Sequence, residues 1–165
     1  MSGTTVDLPI AERERLADLE RLATDAARDL DGASAHEILQ WAAHTFGDRF
    51  CVLSSMGDAV VASLAAKAKP GIDVVFLDTG YHFAETIGMR DAVAAVYDVN
   101  VVSALPLLTV AEQDEAHGKD LFARDPDACC AMRKVAPMEA ALVNYDSWAT
   151  GVRRDESTTR ATTPV

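Results

Sequence analysis

Two short runs, RFCVLSS at Arg49–Ser55 and DVVFLDT at Asp73–Thr79, are apolar without alternation between turn-prone ends. A strand that is apolar on both faces must be covered on both, which a parallel sheet with helices on either side achieves. Asp58–Lys69 between them reads as a helix stopped by Pro70-Gly71, and a further helix at Ala84–Tyr97 leads to a third strand at Val99–Ala104. Strand, helix, strand, helix, strand is the order of a doubly wound α/β sheet, and parallel strands need such crossovers. Ligands of these sheets sit beyond the carboxyl ends of the strands, so the loops following each strand become the candidates for function.

The flanks complete the pattern. Residues 10–30 place Ile10, Leu16, Leu19, Leu22, Ala23, Ala26 and Leu30 three and four apart, an amphipathic helix ended by Asp31-Gly32. Ser34 with Glu37 three residues on forms a capping-box pattern for a helix reaching about Phe46. After the third strand, Thr109–Gly118 predicts a short helix, Lys119–Ala128 a loop, Cys129–Val143 a helix and Ser147–Gly151 a fourth strand. The polar, Thr-rich end predicts disorder. The expected organisation is an N-terminal helical segment at 1–33, an α/β domain at 34–152 and a polar tail at 153–165.

The formal charge of −11 argues against a broad nucleic-acid contact, while a small anion needs only a few local cations. No apolar run approaches the roughly 20 residues of a membrane span, and the N-terminus has no basic-then-apolar signal pattern, which points to the cytoplasm. Three cysteines, two of them adjacent at Cys129 and Cys130, are not a disulfide framework.

Four segments carry residue types suited to chemistry. SSMGD, Ser54–Asp58, is a small-residue turn between strand and helix that can aim backbone N–H groups at phosphate or sulfate, or simply be a tight turn; it lacks the Gly-Lys-Ser/Thr ending of a kinase-type P-loop. LDTGYHF, Leu77–Phe83, offers Asp78 and Thr79 to a ribose or base and His82 to a ligand, or places Asp78 as a helix cap with Gly80 turning the chain. CCAMRKV, Cys129–Val135, places two thiols side by side, too strained for a mutual disulfide but able to ligate two irons of one cluster, with Arg133 and Lys134 offsetting negative charge. The alternative is a pair of small buried residues at a helix start. GVRRDESTTR, Gly151–Arg160, supplies guanidinium groups suited to phosphate and sulfate oxygens, or a solvated surface cluster.

Taken in order, SSMGDAV, LDTGYHF, GKDLF, CCAMRKVAPM and WATGVRRDES resemble the sulfonucleotide reductases, and among them the bacterial adenylyl-sulfate (APS) reductases of sulfate assimilation. The likeness covers about residues 35–160. It implies an adenine-nucleotide alpha-hydrolase-like fold with a modified pyrophosphatase loop, and thioredoxin-dependent reduction of APS to sulfite and AMP. It further implies that Ser54, Ser55, Gly57 and Asp58 hold the adenylyl end of the substrate and that Leu77, Asp78, Thr79 and Gly80 line the adenosine pocket. Gly151, Arg154 and Arg160 fall in the segment that closes over the nucleotide. Cys129 and Cys130 match the first pair of ligands of a four-iron four-sulfur cluster, and Lys134 matches the lysine between cluster and sulfate. The adjacent cysteines favour APS over the 3′-phosphorylated PAPS.

The sequence departs from the family pattern after Val165, where members continue with a C-x-x-C pair and a tail bearing the nucleophilic cysteine. The expectation is therefore a truncated chain with half of the cluster ligands, which binds nucleotide and does not turn over. Cys51, inside the first strand, is a poor substitute nucleophile. Two other readings remain: a PAPS reductase or an ATP pyrophosphatase on the same fold, although Ser55 and Met56 stand where that loop has glycines, and a non-catalytic nucleotide-binding module. Whether the chain forms a homo-oligomer, with a cluster shared between two copies, is left open by the residues.

Overall fold

The computed structural model describes residues 9–153, 156 and 158–161, in two compact units. The first draws on Met1–Ala33 and Arg153–Val165. Its helix α1, Ile10–Asp29, is lined by ion pairs one turn apart, Arg15 with Glu12, Arg21 with Asp18 and Arg28 with Asp25. It buries Ala26.

The second unit, Ser34–Val152, holds the sheet. It opens with α2, Ala35–Phe46, whose capping box closes in both directions: Ser34 Oγ accepts from the Glu37 amide and the Glu37 carboxylate accepts from the Ser34 amide at 2.8 Å. Strands β1 (Phe50–Leu53), β2 (Ile72–Leu77), β3 (Val99–Ala104) and β4 (Ser147–Thr150) form one parallel sheet in the order β3-β2-β1-β4. Helices α3 (Val60–Ala68) and α4 (Ala84–Val96) make the first two crossovers. The chain then reverses direction to lay β4 beside β1, so a topological switch lies between those two strands.

The two-sided burial expected of the apolar runs is met. Phe50, Val52, Ile72, Val74 and Phe76 pack under α2, α3 and α4, with Leu39, Ala42, Ala62, Ala65 and Val93 as their buried partners. Cys51 and Val75 face the other way, with Leu53 and Leu77, onto Ala141, Leu142 and Tyr145. Arg49 at the start of β1 and Asp146 before β4 form a two-pronged pair at 2.6 Å, and the Asp146 amide donates to the Arg49 carbonyl, which fixes β4 in register.

The segment between β3 and β4 departs from the expectation. Lys119–Ala128 is not a loop: it contains helices α6 (Leu121–Arg124) and α7 (Pro126–Cys130), after α5 (Val110–His117). Leu121 is buried, the Arg124 guanidinium donates to the carbonyls of His117, Gly118 and Lys119, and Asp125 caps α7 through the Ala128 amide. The helix expected at Cys129–Val143 is interrupted by a π turn at Ala131–Val135 before α8 (Ala136–Leu142). Ala136 donates to the Ala131 carbonyl, five residues back, and Pro137 has no N–H to restore the four-residue pattern.

Candidate functional site

Because all four strands are parallel, their carboxyl ends share one edge. The Ser54 amide donates to the Val75 carbonyl, and the Asp78 amide to the Ala104 carbonyl, so each loop leaves its strand still tied to the neighbour.

In the loop after β1, Met56 adopts a left-handed φ of 56°, which costs a non-glycine residue roughly 1 kcal/mol or more. Two contacts offset that cost. Ser54 Oγ accepts from the Met56 amide at 3.2 Å, and the Met56 side chain is buried against Ala62, Val74, Phe76 and Val93. Ser55 and Gly57 are left exposed at the bend. Asp58 Oδ1 accepts from the Val60 amide at 2.9 Å, so its carboxylate engages the first amide of α3 from two residues back.

In the loop after β2, Asp78 does not cap α4. Its Oδ1 accepts from the Gly80 amide at 3.0 Å and its Oδ2 pairs with Arg90 at 3.5 Å. Thr79 Oγ1 accepts from the Tyr81 amide, and Gly80 turns the chain with a φ of 75°. His82 folds under the loop: its Nε2 lies 2.9 Å from the Leu77 carbonyl and its ring 4.8 Å from that of Phe76.

The cysteine-bearing segment reaches this same edge through Arg133. That buried guanidinium donates from Nε to the Thr79 carbonyl and from Nη1 to Gln113 Oε1 at 2.9 Å and the Leu108 carbonyl at 3.3 Å. Arg133, which the sequence pattern offers as a cation beside the thiols, is tied by these bonds to the rim loops. Lys134 is exposed on the same π turn. Cys129 is buried and Cys130 exposed. Among the described residues no group of three or more His, Cys, Asp or Glu is placed to hold a metal ion.

Gly151 follows β4 beside the end of β1, where a Cβ would stand 2.6 Å from Val61 Cγ2. Arg154 lies outside the described residues. Arg160 belongs to the first unit, where its guanidinium bonds Glu156 at 2.6 Å. The structure thus brings Ser54–Asp58, Leu77–Gly80, the Cys129–Lys134 segment and Gly151 into one unit. What no sequence pattern signals is the left-handed turn at Met56, the part played by Gln113 and the pairing of Tyr81 with Phe122, whose ring centroids are 5.6 Å apart at the rim.

Cys51 is fully buried, and burial with the nearby Asp73 carboxylate pushes its thiol up to about 12 from 9.0. Tyr145 is raised too, by burial first and by the bond it donates to Asp73 at 2.7 Å. The folded chain therefore keeps protons that the unfolded chain releases. The stability they contribute is complete below about pH 9 and is lost as pH climbs toward about 12. The urea midpoint is expected to hold up to about pH 9 and then decline, less steeply in Cys51→Ala. Iodoacetamide at mild pH should label Cys130 and spare Cys51; prompt alkylation of Cys51 in the folded chain would contradict this burial.

A family model described as the phosphoadenosine phosphosulfate reductase domain matches residues 49–165. The adenosine 5′-phosphosulfate reductase of Streptomyces coelicolor is 64% identical over 156 residues, which are 94% of this chain and 66% of that protein. The Mycolicibacterium smegmatis protein of the same name is 57% identical over 148 residues, 90% of this chain and 63% of that one. The chain spans just under two thirds of the length of these relatives. The Rhodococcus erythropolis protein, again so named, is 53% identical over 171 residues, 98% of this chain and 68% of that one. A crystal structure of phosphoadenylyl-sulfate (PAPS) reductase from Candida auris, a phosphate complex, superposes with a TM-score of 0.66 at 24% identity, covering 91% of this chain and 71% of that one. That likeness bears on the fold alone, a parallel sheet flanked by helices.

Proposed function

The chain belongs to the phosphoadenosine phosphosulfate reductase domain family, and on that premise we propose that its sheet rim binds adenylyl sulfate for reduction to sulfite and AMP. The two electrons come from a dithiol protein of the thioredoxin kind, and the setting is cytoplasmic sulfate assimilation. The observation that carries the reading is the meeting of two turn-rich loops and the Arg133–Lys134 segment at one edge of the sheet. The names borne by relatives 47–64% identical support APS as the substrate rather than PAPS.

Ser54, Ser55 and Gly57 present a small-residue turn to the adenylyl phosphate, while Asp58 holds the α3 terminus that frames it. Leu77, Asp78, Thr79 and Gly80 line the adenosine, the loop being held in shape by Arg90, His82 and Arg133. Gly151, after β4, borders the same rim at the end of β1. Exposed Lys134 carries the ammonium that meets the sulfate.

The donor chemistry of Cys129 and Cys130, two neighbouring thiols beside Lys134, fits two ligand positions of a four-iron four-sulfur cluster. When bound there, the cluster supplies a dense local charge next to the sulfate. The chain's own part is to hold those thiols on a helix tied to the substrate loops and to keep the ammonium between.

Calorimetric titration with APS, AMP and ATP tests the reading. APS and AMP are expected to bind, with ATP at least tenfold weaker. At a hundredfold excess over Kd the bound nucleotide should add about 2.7 kcal/mol of stability. Preference for ATP would move the chain to adenylylating chemistry; no binding of any of the three would end the proposal.

A further inference from the structure

Arg133 is 3% exposed, and the groups it bonds are neutral: the Thr79 and Leu108 carbonyls and Gln113 Oε1. Its guanidinium also lies over the Tyr81 ring, 5.2 Å from the centroid. A buried cation is costly unless its donors find partners, and here Nε and Nη1 of one planar fork find theirs on three separate segments. These are the loop after β2, the loop after β3 and helix α5. Gln113 is itself 1% exposed, and its Nε2 has no hydrogen-bond partner among the described residues, so this buried amide is held for what its oxygen does. Gly80 completes the fit: a Cβ there would stand 3.0 Å from Arg133 Nη2 and 3.1 Å from Val110 Cγ2. Glycine at this point lets the guanidinium lie against the backbone as well as allowing the left-handed turn.

We propose that Arg133 is a positioning residue that locks the Thr79–Tyr81 loop to the helix bearing Cys129, Cys130 and Lys134. Binding at the nucleotide loop and placement of the cysteine segment are then set in one geometry. The inference rests on the nucleotide reading above and adds the residue that couples its two halves. Charge alone does not make this lock, because the bonds leave Nε and Nη1 in fixed directions that an ammonium on a flexible stem does not reproduce.

The test uses the full chain with Arg133→Lys, which keeps the charge, and Arg133→Met, which removes it while filling volume. Replacing a buried ionic group by an apolar one of similar size is often neutral for folding. AMP is the probe for calorimetry, and amide hydrogen exchange reads the loop. Both variants are expected to bind AMP at least tenfold more weakly. Both should exchange the Thr79–Tyr81 amides at least tenfold faster, with Val52, Val74 and Val75 protected as in the parent. A merely structural role would lower protection throughout and leave the affinity of the folded molecules alone. A folded variant with AMP affinity within twofold of the parent overturns the proposal, as does failure of both to fold, which would make Arg133 a core residue only. If the parent itself binds no AMP, the nucleotide reading fails instead, and exchange in the loop still decides whether Arg133 locks it.

Discussion

Phe76→Ala is expected to cost about 3–5 kcal/mol, enough to unfold a large share of molecules whose whole stability is of the order of 5–15 kcal/mol. Phe76 is fully buried in the central part of the sheet, among Met56, Ala62, Val74 and Val93. Its ring has a second duty. His82 stacks on it at 4.8 Å, and the Arg90 guanidinium lies 5.9 Å from its centroid. Those two side chains fix the loop after β2, His82 through the Leu77 carbonyl and Arg90 through Asp78. Removing the ring opens a core cavity and takes away the surface against which His82 and Arg90 rest. Phe76→Leu separates the effects. It keeps most of the volume, so its cost should stay below about 1.5 kcal/mol, yet it loses the stacking surface. Urea melts are expected to show a cooperative, mildly weakened Phe76→Leu chain whose AMP affinity has dropped severalfold. Full AMP affinity in Phe76→Leu would mean that the loop is anchored by something other than this ring.

The elements that could be read from sequence are those whose cause is local. β1 and β2 announce themselves because burial on both faces leaves their runs apolar, with Asp73 near the start of β2 the one polar residue inside either strand, and α2 because Ser34 and Glu37 form their capping box within four residues. What escaped depends on distant partners. Helices α6 and α7 have four and five residues, too few for periodicity, and α6 forms because Leu121 is buried and Arg124 binds the preceding turn. The signal for α7 was present in Asp125-Pro126, a cap followed by a residue suited to a helix start. Met56 reads as an ordinary turn residue, and its left-handed conformation is tolerable only because its side chain reaches the core.

The same division runs through the site. The small-residue turns at Ser54–Asp58 and Asp78–Gly80 were legible, since strand-to-helix turns at a sheet edge need such residues. Arg133 was legible only as a cation beside two cysteines. Its bond to the Thr79 carbonyl spans 54 positions, and no pattern around Cys129 foretells it.

Gly151→Ala should be the most damaging single-methyl addition in the sheet unit, and its reason is space rather than backbone angle, since Gly151 does not have the left-handed φ of Gly80. The added Cβ would stand 2.6 Å from Val61 Cγ2, inside the closest approach that carbon atoms allow, so the short, β-branched Val61 side chain, α3 or the end of β4 must shift. α3 is held by Ala62 and Ala65, both fully buried, whereas β4 is, among the described residues, an edge strand paired only to β1. Its far end is clamped by Arg49 and Asp146, so the strain should open the end at Thr150, next to the rim. The expected cost is about 1–3 kcal/mol. Val61→Ala removes the clashing methyl groups and on its own should cost roughly 1–2 kcal/mol for the lost burial. Combined in one chain, the two changes should cost less than their sum by about 1 kcal/mol or more, a coupling readable from the urea midpoints of the four proteins. Costs that simply add, to within about 0.5 kcal/mol, would show that the backbone of β4 does not rest on Val61. The clash also bears on binding, because Val61 is the residue after the amide that Asp58 engages. A methyl group at 151 should therefore weaken AMP binding by displacing the start of α3, and Val61→Ala should restore both the fold and the affinity.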